Sequence, residues 1–138
     1  VSGAGSLAMR HSKQMSETAL ILFAHGARDP QWAAPMRRVR AAIGQRAPGI
    51  RVELAFLEFM QPDLRTCAES LVADRCQRII VVPMFIARGG HLNRDLPRLV
   101  AELQQGNPRI HFELAGAIGE AEIVVQAMAE HALALADN

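Results

Sequence analysis

Lysine is almost absent from this sequence. Lys13 is the only one, so nearly all of the fifteen basic residues are arginines, and fourteen acidic residues balance them to a formal net charge of +1. Without a positive field or a basic arm, the chain is not expected to bind nucleic acid or an anionic membrane. A small-molecule partner is favoured. Arginine binds carboxylates bidentately, but compositional bias is the favoured interpretation for most of these arginines.

Cysteines and long apolar runs are also scarce. Cys67 and Cys76 lie nine residues apart, match no metal or redox motif and fall within one predicted helix, which argues against a disulfide framework. No apolar run is long enough to span a bilayer, and the segment before Met9 lacks the features of a signal peptide. These absences predict a protein of the reducing cytoplasm that is not inserted in a membrane.

The chain has 138 residues, half of them hydrophobic, which suits one compact domain with its own core. Residues 1–16 begin VSGAGSLA and are interpreted as a leader or expression remnant, expected to be disordered. Residues 17–138 are predicted to form a single domain.

Short apolar segments alternate with segments of helical spacing through this region. The predicted strands are Thr18–Ala24, Ile50–Leu57, Arg78–Phe85 and Ile110–Ala115. The predicted helices run from Asp29-Pro30 to near Pro48-Gly49, from Pro62 through Leu71, across Leu96 to Leu103, and over Glu120–Ala136. The third strand is expected to be buried on both faces. The last helix is expected to close the domain with five residues inward, namely Val124, Ala127, Met128, His131 and Leu135.

Four strands alternating with four helices predict the α/β class. We expect a flavodoxin-like open sheet of parallel strands joined by right-handed crossovers, with helices on both faces. Ligands of such sheets bind beyond the carboxyl ends of the strands, where the strand order reverses. With the common order 2-1-3-4, that point lies between the first and third strands.

Two histidines flank this predicted crevice. His25 follows the first strand and His91 lies in the loop after the third, so we expect them to converge. A neutral imidazole binds borderline divalent metals and also accepts a proton near neutral pH. Two imidazoles, with a carboxylate and water, would form an incomplete shell from which a metal ion can leave. His11, His111 and His131 are interpreted as structural or surface residues.

Other residues near the crevice allow two interpretations. Glu58 ends the second strand and is either a metal ligand or proton relay, or an ordinary solvated glutamate. Gly89-Gly90 would let the backbone approach a flat ligand and present N–H groups to its carboxylates, or simply form a flexible loop.

Three segments, ILFAHGARDP, VELAFLEFMQP and RIIVVPMFIARGGHLNRDLP, resemble in order and spacing the small sirohydrochlorin chelatases of the CbiX type. The similarity extends from about Thr18 to Leu103, and the third segment is the most specific. After the fourth predicted strand, where relatives often have Leu-Gly followed by His-Pro, this chain reads AIGEAE. Contacts from that loop are therefore not carried over from the family.

This resemblance implies a class II chelatase fold, a lyase activity without ATP, and insertion of Co²⁺, or in relatives Fe²⁺ or Ni²⁺, into sirohydrochlorin during cobalamin- or siroheme-type tetrapyrrole biosynthesis. It assigns metal binding to His25 and His91, with His25 as the proton acceptor. The resemblance also implies that short members form homodimers. It implies no cofactor beyond the metal substrate.

Substrate binding is the remaining role that the resemblance assigns. The matching loop comprises Ile86, Ala87, Arg88, Gly89, Gly90 and His91. Arg28 is a further candidate for the carboxylates of the macrocycle. Gln61 stands where many relatives have a glutamate, and its loss as a base shifts that candidate role to Glu58.

Two other functions fit parts of the pattern. A metal or tetrapyrrole carrier would use the same histidines without turnover. A phosphoryl-transfer enzyme with a nucleophilic histidine would share His25-Gly26, but Ala24 stands where such enzymes have an arginine that holds the phosphate.

Overall fold

The computed structural model describes residues 17–87 and 89–137. In chain order the elements are β1 (Thr18–Ala24), a 3-10 helix (Pro30–Ala33), α1 (Ala34–Arg46), β2 (Arg51–Phe56), α2 (Leu64–Ala73), β3 (Arg78–Pro83), α3 (Leu92–Gly106), β4 (His111–Leu114), a second 3-10 helix (Ile118–Glu120) and α4 (Glu122–Ala136). The expected disorder of residues 1–16 concerns residues outside this description, and the single-domain assignment stays a prediction.

The four strands form one parallel sheet in the order β2-β1-β3-β4. Ile21 of β1 lies between Glu53 of β2 and Val81 of β3 in the register. The predicted α/β class and strand order are therefore confirmed. The strand order reverses between β1 and β3, where the carboxyl ends of both strands open toward the same edge.

The larger part of the core lies between the sheet and two helices, α2 and α3. The stripe predicted for α2 is buried as expected, with Leu64, Cys67, Ala68 and Leu71 each at most 4% exposed. Ile79 and Val81 of β3 face it and are fully buried. Each large side chain buried here contributes roughly 1.5–3 kcal/mol. This core fixes the strands whose ends carry the two histidines.

Helix α1 covers the other face at β1 and β2. Its predicted inward residues Met36, Val39 and Ile43 pack against a second cluster that includes Leu22 and Phe56. The helical segment begins where the sequence predicts, because Asp29 accepts a hydrogen bond from the N–H of Gln31 and Pro30 opens the first turn of the 3-10 helix, which leads directly into α1. Helices therefore lie on both faces of the sheet.

The expectation that the third strand is buried on both faces is wrong. Ile79 and Val81 are buried, but Ile80 and Val82, which point to the opposite face, are only half-buried. The physical reason is the position of α4. A fourth helix packed beside α1 would cover them, but α4 does not pack there.

The expectation that α4 closes the domain is also wrong. None of its fifteen residues is buried, and the residues predicted to face inward include Met128 at 41% and Leu135 at 62% exposure. Val124 is half-buried, whereas Ala127 and His131 are exposed. The periodic pattern indicated a helix correctly but could not indicate what covers it.

The two cysteines are free and buried. Cys67 lies in α2, but Cys76 lies beyond it, since the helix ends at Ala73 and Arg75 adopts a left-handed conformation (φ 67°). The placement of both in one helix is therefore wrong, while the interpretation that they form no disulfide is confirmed. Burial raises the pKa of Cys67 to about 12, so its thiol stays protonated at neutral pH.

Candidate functional site

His25 is the first residue after β1 and is exposed at the carboxyl edge of the sheet. Its imidazole packs against the ring of Phe85, with 4.5 Å between the ring centroids and a tilt of 42°. Phe85 is itself buried and contacts Phe23 edge to face, with 5.9 Å between their centroids. The imidazole therefore has a rigid aromatic support on one side and solvent on the other.

The segment after His25 is tied to the segment after β2. The N–H of Glu58 donates to the carbonyl of His25 at 3.0 Å, and the N–H of Leu57 donates to the carbonyl of Ala24 at 2.9 Å. Gly26 has φ 88°, and a Cβ atom there would lie 1.9 Å from the carbonyl oxygen of Glu58. Only glycine allows this close approach. As a result, Glu58, which is exposed, starts from a backbone position beside His25.

His91 lies at the same edge of the sheet, directly before α3. Its carbonyl accepts hydrogen bonds from the N–H groups of Asp95 (2.8 Å) and Arg94 (3.1 Å), so its backbone forms the start of the helix while its side chain is exposed. Because β1 and β3 are hydrogen-bonded neighbours, both predicted histidines follow adjacent parallel strands. That the two rings share one metal ion stays a prediction.

The loop between β3 and α3 contains the predicted substrate-binding residues. Ile86 is 74% exposed, and Ala87, Gly89 and Gly90 are exposed as well. Arg88 lies outside the described residues. The described residues of this loop are exposed to solvent at the carboxyl edge, next to His91.

A 3-10 helix after β4 supports the base of this loop. The N–H of Gly119 donates to the carbonyl of Phe85 at 2.9 Å, and a Cβ atom at Gly119 would lie 2.4 Å from the Cα of Ile86. Glycine at this position lets the two segments touch through their backbones. The 3-10 helix therefore fixes the backbone position of Ile86 at the carboxyl edge of the sheet.

The rim of the crevice is apolar. Leu57 is 42% exposed and Phe59 is 57% exposed, which, with Ile86, gives three large apolar side chains in solvent around the histidines. The guanidinium carbon of Arg28 lies 4.7 Å from the centroid of the Phe59 ring, a cation–π contact that orients the arginine. Gln61 is exposed at the same edge and is joined to Pro62 by a cis peptide bond.

The described residues contain no group of three or more His, Cys, Asp or Glu side chains placed to hold a metal ion. Within the same residues, no helix is long and apolar enough to cross a membrane. Ala24, which the phosphatase alternative would need as a phosphate-binding arginine, is buried at the end of β1.

Sequence reasoning missed three residues that shape this edge. The sequence pattern places Phe85 at the end of the third strand, whereas β3 ends at Pro83 and Phe85 lies just beyond it. An aromatic residue at the end of an apolar run next to the crevice could have indicated a support for His25. Gly26 and Gly119 make the two close backbone approaches. Such contacts join segments distant in the sequence, so no local pattern could have indicated them.

Comparisons with known proteins agree on one family. The family model described as CbiX matches residues 19–134. A sirohydrochlorin cobaltochelatase of Methanococcus aeolicus is 30% identical over 86 residues, which is 62% of this chain and 60% of that protein. One of Methanocaldococcus jannaschii is 32% identical over 89 residues, or 64% and 62%. The matched region therefore spans about three fifths of the length of these relatives.

Two solved structures share the fold. A CbiX protein from Marinobacter aquaeolei VT8 superposes with a TM-score of 0.74 at 23% identity, over 87% of this chain and 98% of that one. The sirohydrochlorin chelatase SirB from Bacillus subtilis subspecies spizizenii, in complex with cobalt, gives a TM-score of 0.69 at 24% identity, over 83% and 49%. At these identities the likeness shows the fold alone.

Proposed function

Since this chain belongs to the CbiX family, we propose that it is a chelatase that inserts a divalent metal ion, Co²⁺ first among the candidates, into sirohydrochlorin without ATP. Support comes from relatives named sirohydrochlorin cobaltochelatase at 30% and 32% identity. Fe²⁺ and Ni²⁺ remain in the proposal as alternative ions, because imidazole and carboxylate ligands accept all three.

The observation that carries the proposal is that potential metal ligands and exposed apolar side chains lie together at one edge of the sheet. Two exposed imidazoles follow neighbouring strands, and apolar side chains around them are exposed to solvent. A tetrapyrrole is a flat apolar ring with carboxylates at its periphery and metal-binding nitrogens at its centre. An apolar rim around metal ligands matches each of those parts.

The chemistry requires the metal ion to displace two protons from pyrrole nitrogens. In our proposal His25 and His91 hold the ion weakly and release it into the ring. His25 accepts one of the leaving protons, and Glu58, anchored beside His25 through its backbone, relays protons to water. The products are the metallated macrocycle and two protons, so no oxidant, reductant or nucleotide is needed.

Binding of the macrocycle is proposed to use the rim and the loop. Arg28, oriented by Phe59, and Arg88 would pair with carboxylates of the substrate, assisted by the N–H groups of Gly89 and Gly90. The aliphatic side chains of Ile86 and Ala87 would contact the ring face. Gln61 would contribute a neutral hydrogen bond at the position where relatives have an acid.

We also propose that the active form is a homodimer in the cytoplasm. Support for the dimer comes from the openness of the site. The side chains of His25, His91 and Ile86 are exposed at the carboxyl edge of the sheet, so a second subunit would be needed to enclose a macrocycle. Support for a reducing compartment comes from the two free thiols.

A turnover experiment tests the proposed function. Sirohydrochlorin and Co²⁺ are mixed anaerobically with a small amount of the protein, and the absorption of the macrocycle is followed. We expect metallation of many equivalents of sirohydrochlorin per protein, above the rate without protein. A change that stops at one equivalent would indicate a carrier, and no change with Co²⁺, Ni²⁺ or Fe²⁺ would contradict the chelatase assignment.

A further inference from the structure

Helix α4 presents an apolar surface that its own chain does not bury. Ile123 is 80% exposed, Leu133 is 67% exposed and Leu135 is 62% exposed, and Val125 and Met128 add to the same helix. A helix that is apolar around most of its circumference is ordinarily buried. Fifteen residues are also close to the minimum for an isolated helix in water, so packing has to stabilise α4.

A complementary surface lies on the sheet beside α1. Here the half-buried side chains of Ile80 and Val82 on β3 face the same way as Ala115, which follows β4. A groove of about 470 Å³ continues from Val82 and Ala115 along residues 116–118 to Glu120 and Ala121. We call this surface the β3–β4 face. In a sheet with helices on both sides, it is the position of a fourth helix.

The groove itself contains an acidic residue, Glu120, but the helix that borders the β3–β4 face is basic and α4 is acidic. Helix α1, which borders the β3–β4 face, carries four arginines and no acidic residue, and within the described residues none of these arginines forms an ion pair. Its arginines are Arg37, Arg38, Arg40 and Arg46. Helix α4 and the residue after it contain Glu122, Glu130 and Asp137 and no lysine or arginine. An acidic helix such as α4 is attracted electrostatically to the part of the β3–β4 face next to the arginines of α1.

The connection between the second 3-10 helix and α4 holds α4 away from its own sheet. The N–H of Gly119 donates a hydrogen bond to the carbonyl of Phe85, and the N–H of Ala121 donates to the carbonyl of Ile118. The carbonyl of Ala121 accepts hydrogen bonds from the N–H groups of Val124 and Val125, in the first turn of α4. A single extended residue, Ala121 (φ −69°, ψ 132°), therefore joins the two hydrogen-bonded helices. With this backbone conformation α4 contacts the second 3-10 helix at its start and buries none of its residues on its own β3–β4 face.

We infer that α4 covers the β3–β4 face of a second copy of this chain, and that the second copy returns its α4 in the same way. Such an exchange is isologous, so every contact is made twice. Burial of about 400 Å² on each side of each contact would then reach the total of about 1,600 Å² that is common for stable interfaces.

This inference rests on the proposed homodimer and specifies its surface. The groove is lined by Ala117 and Ile118, which lead directly into Gly119 and thus to the backbone of Ile86. The partner's α4 would therefore back the segment that supports the proposed substrate loop, and loss of the exchange should loosen that loop as well as the dimer.

Mass measurement tests whether α4 holds the dimer. The full chain should scatter light with twice the mass of one chain, whereas I123D and L133D should have the mass of one chain at the same concentration. Because both residues are exposed in the single chain, neither change should unfold it, and near-UV circular dichroism checks this. S70D adds the same charge to an exposed position of α2 and should remain dimeric. A monomeric parent, or dimeric I123D and L133D, would overturn the inference.

Cross-linking tests which surface α4 covers. One chain carries M128C in the middle of α4 and the other carries A115C on the β3–β4 face, and a flexible bismaleimide is added to the mixture. We expect linked pairs of M128C with A115C chains, and few pairs in either chain alone. Pairs formed by M128C alone would mean that two α4 helices pack together, and a link within a single chain carrying both changes would mean self-docking. Either result overturns the exchange while leaving the turnover assay, and thus the proposed function, unaffected.

Discussion

Helices α3 and α4 have the same length, fifteen residues each, and flank β4 along the chain, yet they have opposite environments. Helix α3 buries Leu96, Val100 and Leu103 against the sheet and keeps charged residues on its outer face. Helix α4 buries no residue although it is the more apolar of the two. The difference shows that apolar content alone does not place a helix against its own sheet.

The separation of apolar and polar residues explains the contrast. In α3 the apolar residues recur at helical spacing and leave an opposite face for solvent, which is the pattern of a helix with one covered side. In α4 they occur all around the axis, as in a helix covered from more than one side. We infer that the sequence of α4 is suited to a partner that its own subunit does not supply.

The largest effect is expected when the buried side of α3 is damaged. L96A removes a side chain that is 2% exposed and should lower the free energy of unfolding by about 2–5 kcal/mol, since it leaves a cavity in the core. The matched change in α4, L133A, removes a side chain that is 67% exposed and should change it by at most about 0.5 kcal/mol in dilute solution. Urea unfolding measures both.

Protein concentration sharpens this comparison. At higher protein concentration L133A should lower the free energy of unfolding by a larger amount, because the exchange would bury Leu133. The loss of unfolding free energy caused by L96A should stay the same. Equal costs for the two variants in dilute protein would mean that α4 is packed within its own chain.

Helix capping gives a smaller effect of the same kind. Asp63 caps α2 by accepting the N–H of Thr66 at 2.8 Å, whereas Ala121 at the start of α4 offers no side-chain cap. D63A should cost about 1 kcal/mol of unfolding free energy at neutral pH, and A121D should stabilise α4 by a similar amount.

The cap of α2 should also depend on pH. The hydrogen bonds from Thr66 hold the pKa of Asp63 below its ordinary value. The added stability is therefore complete above the ordinary pKa of the carboxyl group and is lost as the pH falls through the lower folded-state pKa. D63N keeps the cap without a titrating group, so a stability profile of D63N that falls in acid as steeply as that of the parent would contradict this explanation.

The fold could be predicted from the sequence to a large extent because its signals are local. The apolar run of β3, the stripe Leu64 to Leu71 of α2 and the Asp29-Pro30 start are each recorded within a few residues, and each is found as predicted. The coverage of Ile80 and the environment of α4 are not local properties. They depend on whether the last helix returns to its own sheet, and its periodicity carries no information on that choice.

The candidate site shows the same division. Parallel strands in the order 2-1-3-4 bring residues that follow the first and third strands to one edge, so the positions of His25 and His91 at that edge follow from the topology. The support of His25 by Phe85 and the contact of Gly119 with Ile86 arise from packing between distant segments. Those contacts become visible only in three dimensions.

The measurement that tests the central claim most directly is the rate of Co²⁺ insertion into sirohydrochlorin by H25A, H91A and the control H111A. His111 is also exposed, but it begins β4 at the opposite edge of the sheet and pairs with Glu113. We predict that H25A and H91A each lose at least ~100-fold in kcat/KM, as expected when a metal ligand or proton acceptor is removed, while folding and the H111A rate stay close to those of the parent. Near-normal rates in both H25A and H91A would contradict the assignment of this crevice as the site of metal insertion.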